Sequence, residues 1–177
     1  EADSEMGKRG SARGFIVVTG DALGDPRQWN MFGAPGQPDD FAFINALAEE
    51  LGNEWCVDLR RVFASGHSNG SAFTGFLGCV PPYRFAAIAM VAATIPSSCP
   101  PDHRPSVLAL SGDADQTVPY DGGGVGGEGA VGIPPALETM QSYRDIYGCA
   151  SEPKVDTLEP GVRRDSGVDC TDGARVD

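Results

Sequence analysis

The apolar run Arg61-Val62-Phe63-Ala64-Ser65 breaks into Gly66-His67-Ser68-Asn69-Gly70 and then continues at helical spacing. This constrains the fold more than any other feature. Residues 62–65 have the composition of a strand. Glycines at 66 and 70 suit a turn too sharp for side chains. Ala72, Phe73, Phe76, Leu77 and Val80 give the following segment one apolar helical face. A strand–turn–helix of this kind holds the serine at the tip of a sheet. Its hydroxyl then faces substrate and base, beside the backbone N–H groups of the helix start.

The neighbouring segments extend that unit. Gly14 to Thr19 is a continuous apolar run, expected to be a buried strand. Gly20 to Asp39 is rich in Gly, Pro, Asp and Asn and reads as a loop. Asp39-Asp40 caps a helix with Phe41, Ile44, Leu47, Ala48 and Leu51 on one face, ended by Gly52-Asn53. Phe85 to Ala93 fits helix or strand by periodicity, and its place after a helix favours a strand. Pro105 to Ser111 is a further strand. Pro134-Pro135 opens a helix running to about Tyr147. Beyond Cys149 the pattern is weak. Alternating strands and helices make an α/β domain with a mostly parallel sheet and flanking helices. Its sites lie at the carboxyl ends of the strands.

A chain of 177 residues is a single domain, 1–177, with a sizeable core. The net charge of −12 argues against nucleic acid and anionic membranes, whose binding needs clustered Lys and Arg. No apolar run approaches a membrane span. Residues 1–13 are polar and mixed in charge, and position 1 is not Met. The expectation is a mature form or a fragment. Five cysteines form no C-x-x-C pair, so neither a zinc site nor any other metal is expected. Cys79 and Cys99 flank residues 81–98, and Cys149 and Cys170 flank the polar tail. Two disulfides there fit an oxidising compartment and leave Cys56 over. Five reduced thiols in a cytosolic protein are the alternative.

Ser68 is the candidate nucleophile. Asn69-Gly70-Ser71 is also a glycosylation sequon, but a tight turn over a sheet leaves little room for a glycan. Asp113 and Asp115 follow a strand C-terminal to the serine strand, in the order Ser then Asp, where a carboxylate would orient a histidine. An Asx turn is the structural alternative. Gly124-Val125-Gly126-Gly127-Glu128-Gly129 matches G-x-G-x-x-G. It follows no strand, opens no helix and carries a repelling Glu128, so 121–133 reads as a flexible Gly-rich loop and no cofactor is expected. Of the two histidines, His67 adjoins Ser68 on a turn where neighbouring side chains diverge. His103 precedes strand 105–111. Seven residues at ~3.3 Å each put it roughly 20 Å from Asp115. The base is missing by chain order.

Taken together, these segments resemble the secreted polyhydroxybutyrate-depolymerase and feruloyl-esterase family of α/β-hydrolases. The matching pieces include Gly14-Phe15-Ile16-Val17-Val18, Trp29-Asn30, Asp39-Asp40-Phe41-Ala42-Phe43-Ile44 and Arg61 to Gly70. Tyr83-Arg84-Phe85-Ala86-Ala87, Gly112-Asp113-Ala114-Asp115, Val118-Pro119-Tyr120 and Tyr147-Gly148-Cys149 complete them. The resemblance implies a secreted serine esterase acting on plant polysaccharide or polyhydroxyalkanoate esters. Ser68 would be its nucleophile, Asp115 its acid and the Asn69 N–H an oxyanion donor. Cys79 with Cys99 and Cys149 with Cys170 fall where the family places disulfides. The resemblance further implies an α/β-hydrolase domain truncated at both ends. The strand before 14–19 would precede residue 1, and residues 170–177 would lead into the last strand, ahead of a Gly-Gly-His segment. A catalytically dead binding domain is the alternative from another class.

Overall fold

A computed structural model describes residues 5–79, 85–95, 104–125 and 131–177. After a short helix α1 (Met6–Ser11), the main helix α2 spans Asp40–Glu54. The Asp39 carboxylate caps it by accepting from the Ala42 N–H at 3.0 Å, a first-turn donor that has no intrahelical partner. Gly52 and Asn53 do not end this helix. It runs to Glu54 and stops where Trp55 becomes extended at φ −124° and ψ 152°.

Three parallel strands form the central sheet: β1 (Phe63–His67), β2 (Ala87–Val91) and β3 (Ser106–Leu110), in that spatial order. Helix α3 (Asn69–Leu77) leaves β1, and α4 (Ala136–Ile146) follows β3 after a two-stranded antiparallel ladder. That ladder pairs β4 (Gly123–Val125) with β5 (Val131–Ile133). The Gly-rich segment is therefore closed at its base, and residues 126–130 lie outside the described residues. A second hairpin, β6 (Lys154–Glu159) with β7 (Val162–Ser166), occupies the tail that sequence reading left blank. Its residues alternate charges rather than an apolar face. The Arg164–Asp156 pair at 2.8 Å and the turn at Gly161 (φ 82°) shape it instead.

The register places Ala64, Ile88 and Val107 in one row, and Gly66, Met90 and Ala109 in the next. This face carries the core. Phe73 and Leu77 of α3 and Met140 and Tyr143 of α4 join Ile88, Met90 and Val107 there. The opposite face holds Phe63, Leu108 and Leu110, each 41–52% exposed. Val176 adds a fourth parallel contact. It pairs with Val107, with Val107 N–H donating to Arg175 O at 2.7 Å and Asp177 N–H to Val107 O at 2.9 Å. Val176 is wholly buried, so residues 170–177 do lead into a strand position beside β3.

The expected strand at 14–19 is not formed. Phe15 is 51% and Ile16 55% exposed, and the Phe15 ring meets Phe63 edge-on at 6.0 Å without backbone pairing. An apolar run becomes a strand only when a neighbouring ladder takes its N–H and C=O groups. Among the described residues no strand pairs with 14–19, and the outer edge of β1 is left unpaired. Cys149 and Cys170 are bonded, and Cys79 is disulfide-bonded as well. Its expected partner Cys99 lies outside the described residues, as do Tyr83, Arg84 and His103. Cys56 is a free, exposed thiol. Among the described residues no helix is long and apolar enough to cross a membrane.

Candidate active site

Ser68 sits between β1 and α3 at φ 55° and ψ −122°. An L-residue rarely takes this conformation, and it is held only where its surroundings determine it. Three bonds do so here. The Ser68 N–H donates to Val91 O at 3.0 Å. The Ser68 carbonyl accepts from Ser71 and Ala72 N–H at 2.9 and 3.1 Å, starting the helix. Gly66 makes the turn possible. A Cβ there would run into the carbonyl of Gly70 and approach Thr74 Oγ1 to 2.7 Å. Gly70 is less constrained. Its added Cβ would meet only the Trp29 indole, at 3.5 Å. The Asn69 N–H, in the first turn of α3, belongs to the donors that a helix leaves unused.

The sequon is closed to modification. Ser71 is fully buried with its hydroxyl on Ala93 O, and the Asn69 amide is bonded to Trp29. Ala92, at the end of β2, also has a positive φ of 72°. Two strained non-glycine residues therefore mark neighbouring strand ends on the same edge of the sheet.

Asp115 follows β3 and lies past the same carboxyl edge as Ser68, with β2 between them. The register His67–Val91–Leu110 spans two strand spacings, roughly 10 Å. The Asp115 Oδ1 accepts from Thr117 N–H at 2.8 Å and Val118 N–H at 3.0 Å. The Asx turn is formed, and it uses one carboxylate oxygen and leaves the other without a bond to the turn. The Val118 N–H first, then the Thr117 N–H and the charge of His67, hold this carboxyl below its ordinary value. No such bonds fix Asp113. His67 is exposed at the end of β1, close enough to Asp115 for their charges to interact. Among the described residues no cluster of three or more His, Cys, Asp or Glu could hold a metal.

The structure also gives a place to Trp29, which the family resemblance marked without a role. Trp29 stacks on Phe73 at 5.0 Å and 3°, and its backbone bonds the Asn69 side chain. Nothing in the sequence signalled that contact.

An α/β chain with a serine on a strained strand–helix turn and a fixed carboxylate at the same sheet edge has the layout of a hydrolase. The similar proteins agree with that class. The chain is 27% identical to feruloyl esterase B of Piromyces equi, over 99% of this chain and 34% of that protein. It is 32% identical to a probable feruloyl esterase C of Aspergillus niger, over 63% of this chain and 46% of that protein. It is 37% identical to the putative esterase NocK of Nocardia uniformis, over 50% of this chain and 26% of that protein. The chain thus spans less than half the length of these curated relatives. No family model matches it. The relatives support a carboxylic ester hydrolase function.

Proposed function

We propose that this chain carries the nucleophile and acid of a secreted serine esterase of the feruloyl-esterase type. The observation that carries the reading is the Ser68 backbone, strained at φ 55° at the same sheet edge as an ionised, backbone-fixed Asp115. Ser68 Oγ attacks the ester carbonyl carbon as its proton passes to an imidazole. The carbonyl oxygen becomes an oxyanion and accepts from the Asn69 N–H. Collapse expels the alcohol, which takes the proton back from the imidazole. Water then attacks the acyl-enzyme by the same route and releases the acid and Ser68.

Asp115 orients that imidazole through its second oxygen. In this reading the imidazole comes from outside residues 1–177, because a side chain adjacent to Ser68 on a sharp turn points away from it. The substrates are aromatic-acid esters of plant polysaccharides, with acetyl-xylan and polyhydroxyalkanoate esters as relatives in chemistry. Two disulfide-bonded segments support an oxidising compartment.

The test is turnover of methyl ferulate and p-nitrophenyl acetate. Residues 1–177 alone should hydrolyse both no faster than Ser68→Ala. The polypeptide extended at both ends by its own coding sequence should hydrolyse them, and Ser68→Ala should abolish that activity. A folded, extended polypeptide inert on every ester tried would favour a non-catalytic binding domain.

A further inference from the structure

We infer that the Asn69 side chain is a positioning residue. Through the main chain of Trp29 it locks the 20–39 loop against the turn that carries Ser68, and so fixes one wall of the substrate cleft. The wall assignment rests on the esterase reading; the lock itself does not.

The reaction leaves the identity of residue 69 open. An oxyanion donor is a backbone N–H, which any residue but proline supplies. The side chain is nevertheless bonded through both its oxygen and its nitrogen. Its Oδ1 accepts from the Trp29 N–H at 2.7 Å, and its Nδ2 donates to the Trp29 carbonyl at 3.3 Å. The amide thus takes both main-chain groups of one loop residue, across 40 positions of sequence.

The ring of that residue is fixed from the same helix. Phe73, one turn after Asn69, stacks on the indole at 5.0 Å, and Phe43 of α2 lies at 6.5 Å. Gly70 and Gly20 leave room for it. A Cβ at Gly20 would come within 2.9 Å of the indole, and one at Gly70 within 3.5 Å. The next residue ties the loop to α2, with the Asn30 N–H on Asp40 Oδ2 at 2.6 Å. On the other side of Trp29, Asp21 to Gln28 is held mainly by local contacts. Gln28 N–H donates to Leu23 O, and Arg27 pairs with Asp21 in solvent at 3.4 Å. How that stretch is held relative to α3 therefore depends on the lock at Trp29.

The lock is read without turnover. In residues 1–177, hydrogen exchange should show the Trp29 amide protected despite its place in a loop. Exchange at the unprotected rate would overturn the inference with no variant needed. In Asn69→Ala, tryptic cleavage after exposed Arg27 should rise roughly tenfold, the effect of losing two ordinary hydrogen bonds. The Trp29 indole N–H resonance, assigned against Trp55→Phe, should shift. Asn69→Asp keeps the acceptor for the Trp29 N–H but sets a carboxylate oxygen against the Trp29 carbonyl, so it should restore at most part of both readouts, and full restoration would refute the Nδ2 half of the lock. Unchanged cleavage and resonance in folded Asn69→Ala would refute the lock. In the extended polypeptide, Asn69→Ala should raise KM more than it lowers kcat, and a fall in kcat alone would refute the wall. A parent with a protected Trp29 amide and no turnover would sink the esterase reading and leave the lock standing.

Discussion

Two glycines flank the candidate nucleophile, and alanine at each should have opposite consequences. At Gly66 the new methyl meets the main-chain carbonyl of Gly70 and the Thr74 hydroxyl, Oγ1, at 2.7 Å. Neither yields easily. The Gly70 carbonyl belongs to the first turn of α3 and accepts the Thr74 hydroxyl at 2.8 Å. Either β1 or the helix start must move. Overpacking typically costs 1–3 kcal/mol, and a backbone obstacle puts Gly66→Ala at the upper end, about 3 kcal/mol or more. At Gly70 the methyl finds only the Trp29 indole at 3.5 Å, an ordinary contact. Gly70 lies inside α3, where alanine is favoured over glycine by about 1 kcal/mol. Gly70→Ala should therefore stay within about 1 kcal/mol of the parent, on either side. The assay is urea unfolding followed by circular dichroism with disulfides intact, comparing midpoints at equal slopes. A Gly66→Ala midpoint within error of the parent would refute the turn geometry. So would a larger loss at Gly70 than at Gly66.

Ser68→Gly should raise stability by about 1 kcal/mol while removing the nucleophile, because glycine relieves a strained φ of 55°; a lower melting temperature would contradict this. The Asp115 carboxyl has a lowered folded value, so its stabilising contribution is present above the ordinary aspartate value of 3.8 and is lost as pH falls through the lowered one. Asp115→Ala should thus lower the urea midpoint at neutral pH, with the gap closing in strong acid; a gap that persists there would refute the assignment. Replacing Cys149 and Cys170 by serine opens a loop of separation 21 and should cost about 3 kcal/mol in the same assay. Non-reducing peptide mapping should find Cys79 joined to Cys99, and recovery of Cys99 as a free thiol would refute that pairing.

What could be read from the sequence was what local chemistry decides. The Asp39 cap, the apolar stripe of α3 and the strands at 87–91 and 106–110 each follow from neighbours in the chain. Ser68 and Asp115 could be singled out for the same reason: a glycine-bounded turn and a carboxylate after a strand are short patterns. The failures are cases where a distant partner decides. Residues 14–19 have strand composition, yet a strand needs a paired ladder, and among the described residues none pairs with them. Gly52 looked like a stop, but its backbone is helical and Trp55 ends α2 instead. The β6–β7 hairpin lacks the apolar alternation that marks a half-buried strand, and one cross-strand ion pair, Arg164–Asp156, helps hold it instead. The Asn69–Trp29 lock joins a side chain to a main chain 40 residues away, a contact with no local signature.

The most direct test of Ser68 as nucleophile is covalent. The extended polypeptide is mixed with a p-nitrophenyl ester, quenched in acid during turnover and digested with trypsin. With disulfides reduced, cleavage after Arg61 and Arg84 isolates Ser68 in one peptide, 62–84. The account predicts that this peptide gains the mass of the acyl group, that fragmentation places it on Ser68, and that Ser68→Ala shows neither adduct nor hydrolysis. Turnover with Ser68 unmodified and the acyl group on another residue would contradict it.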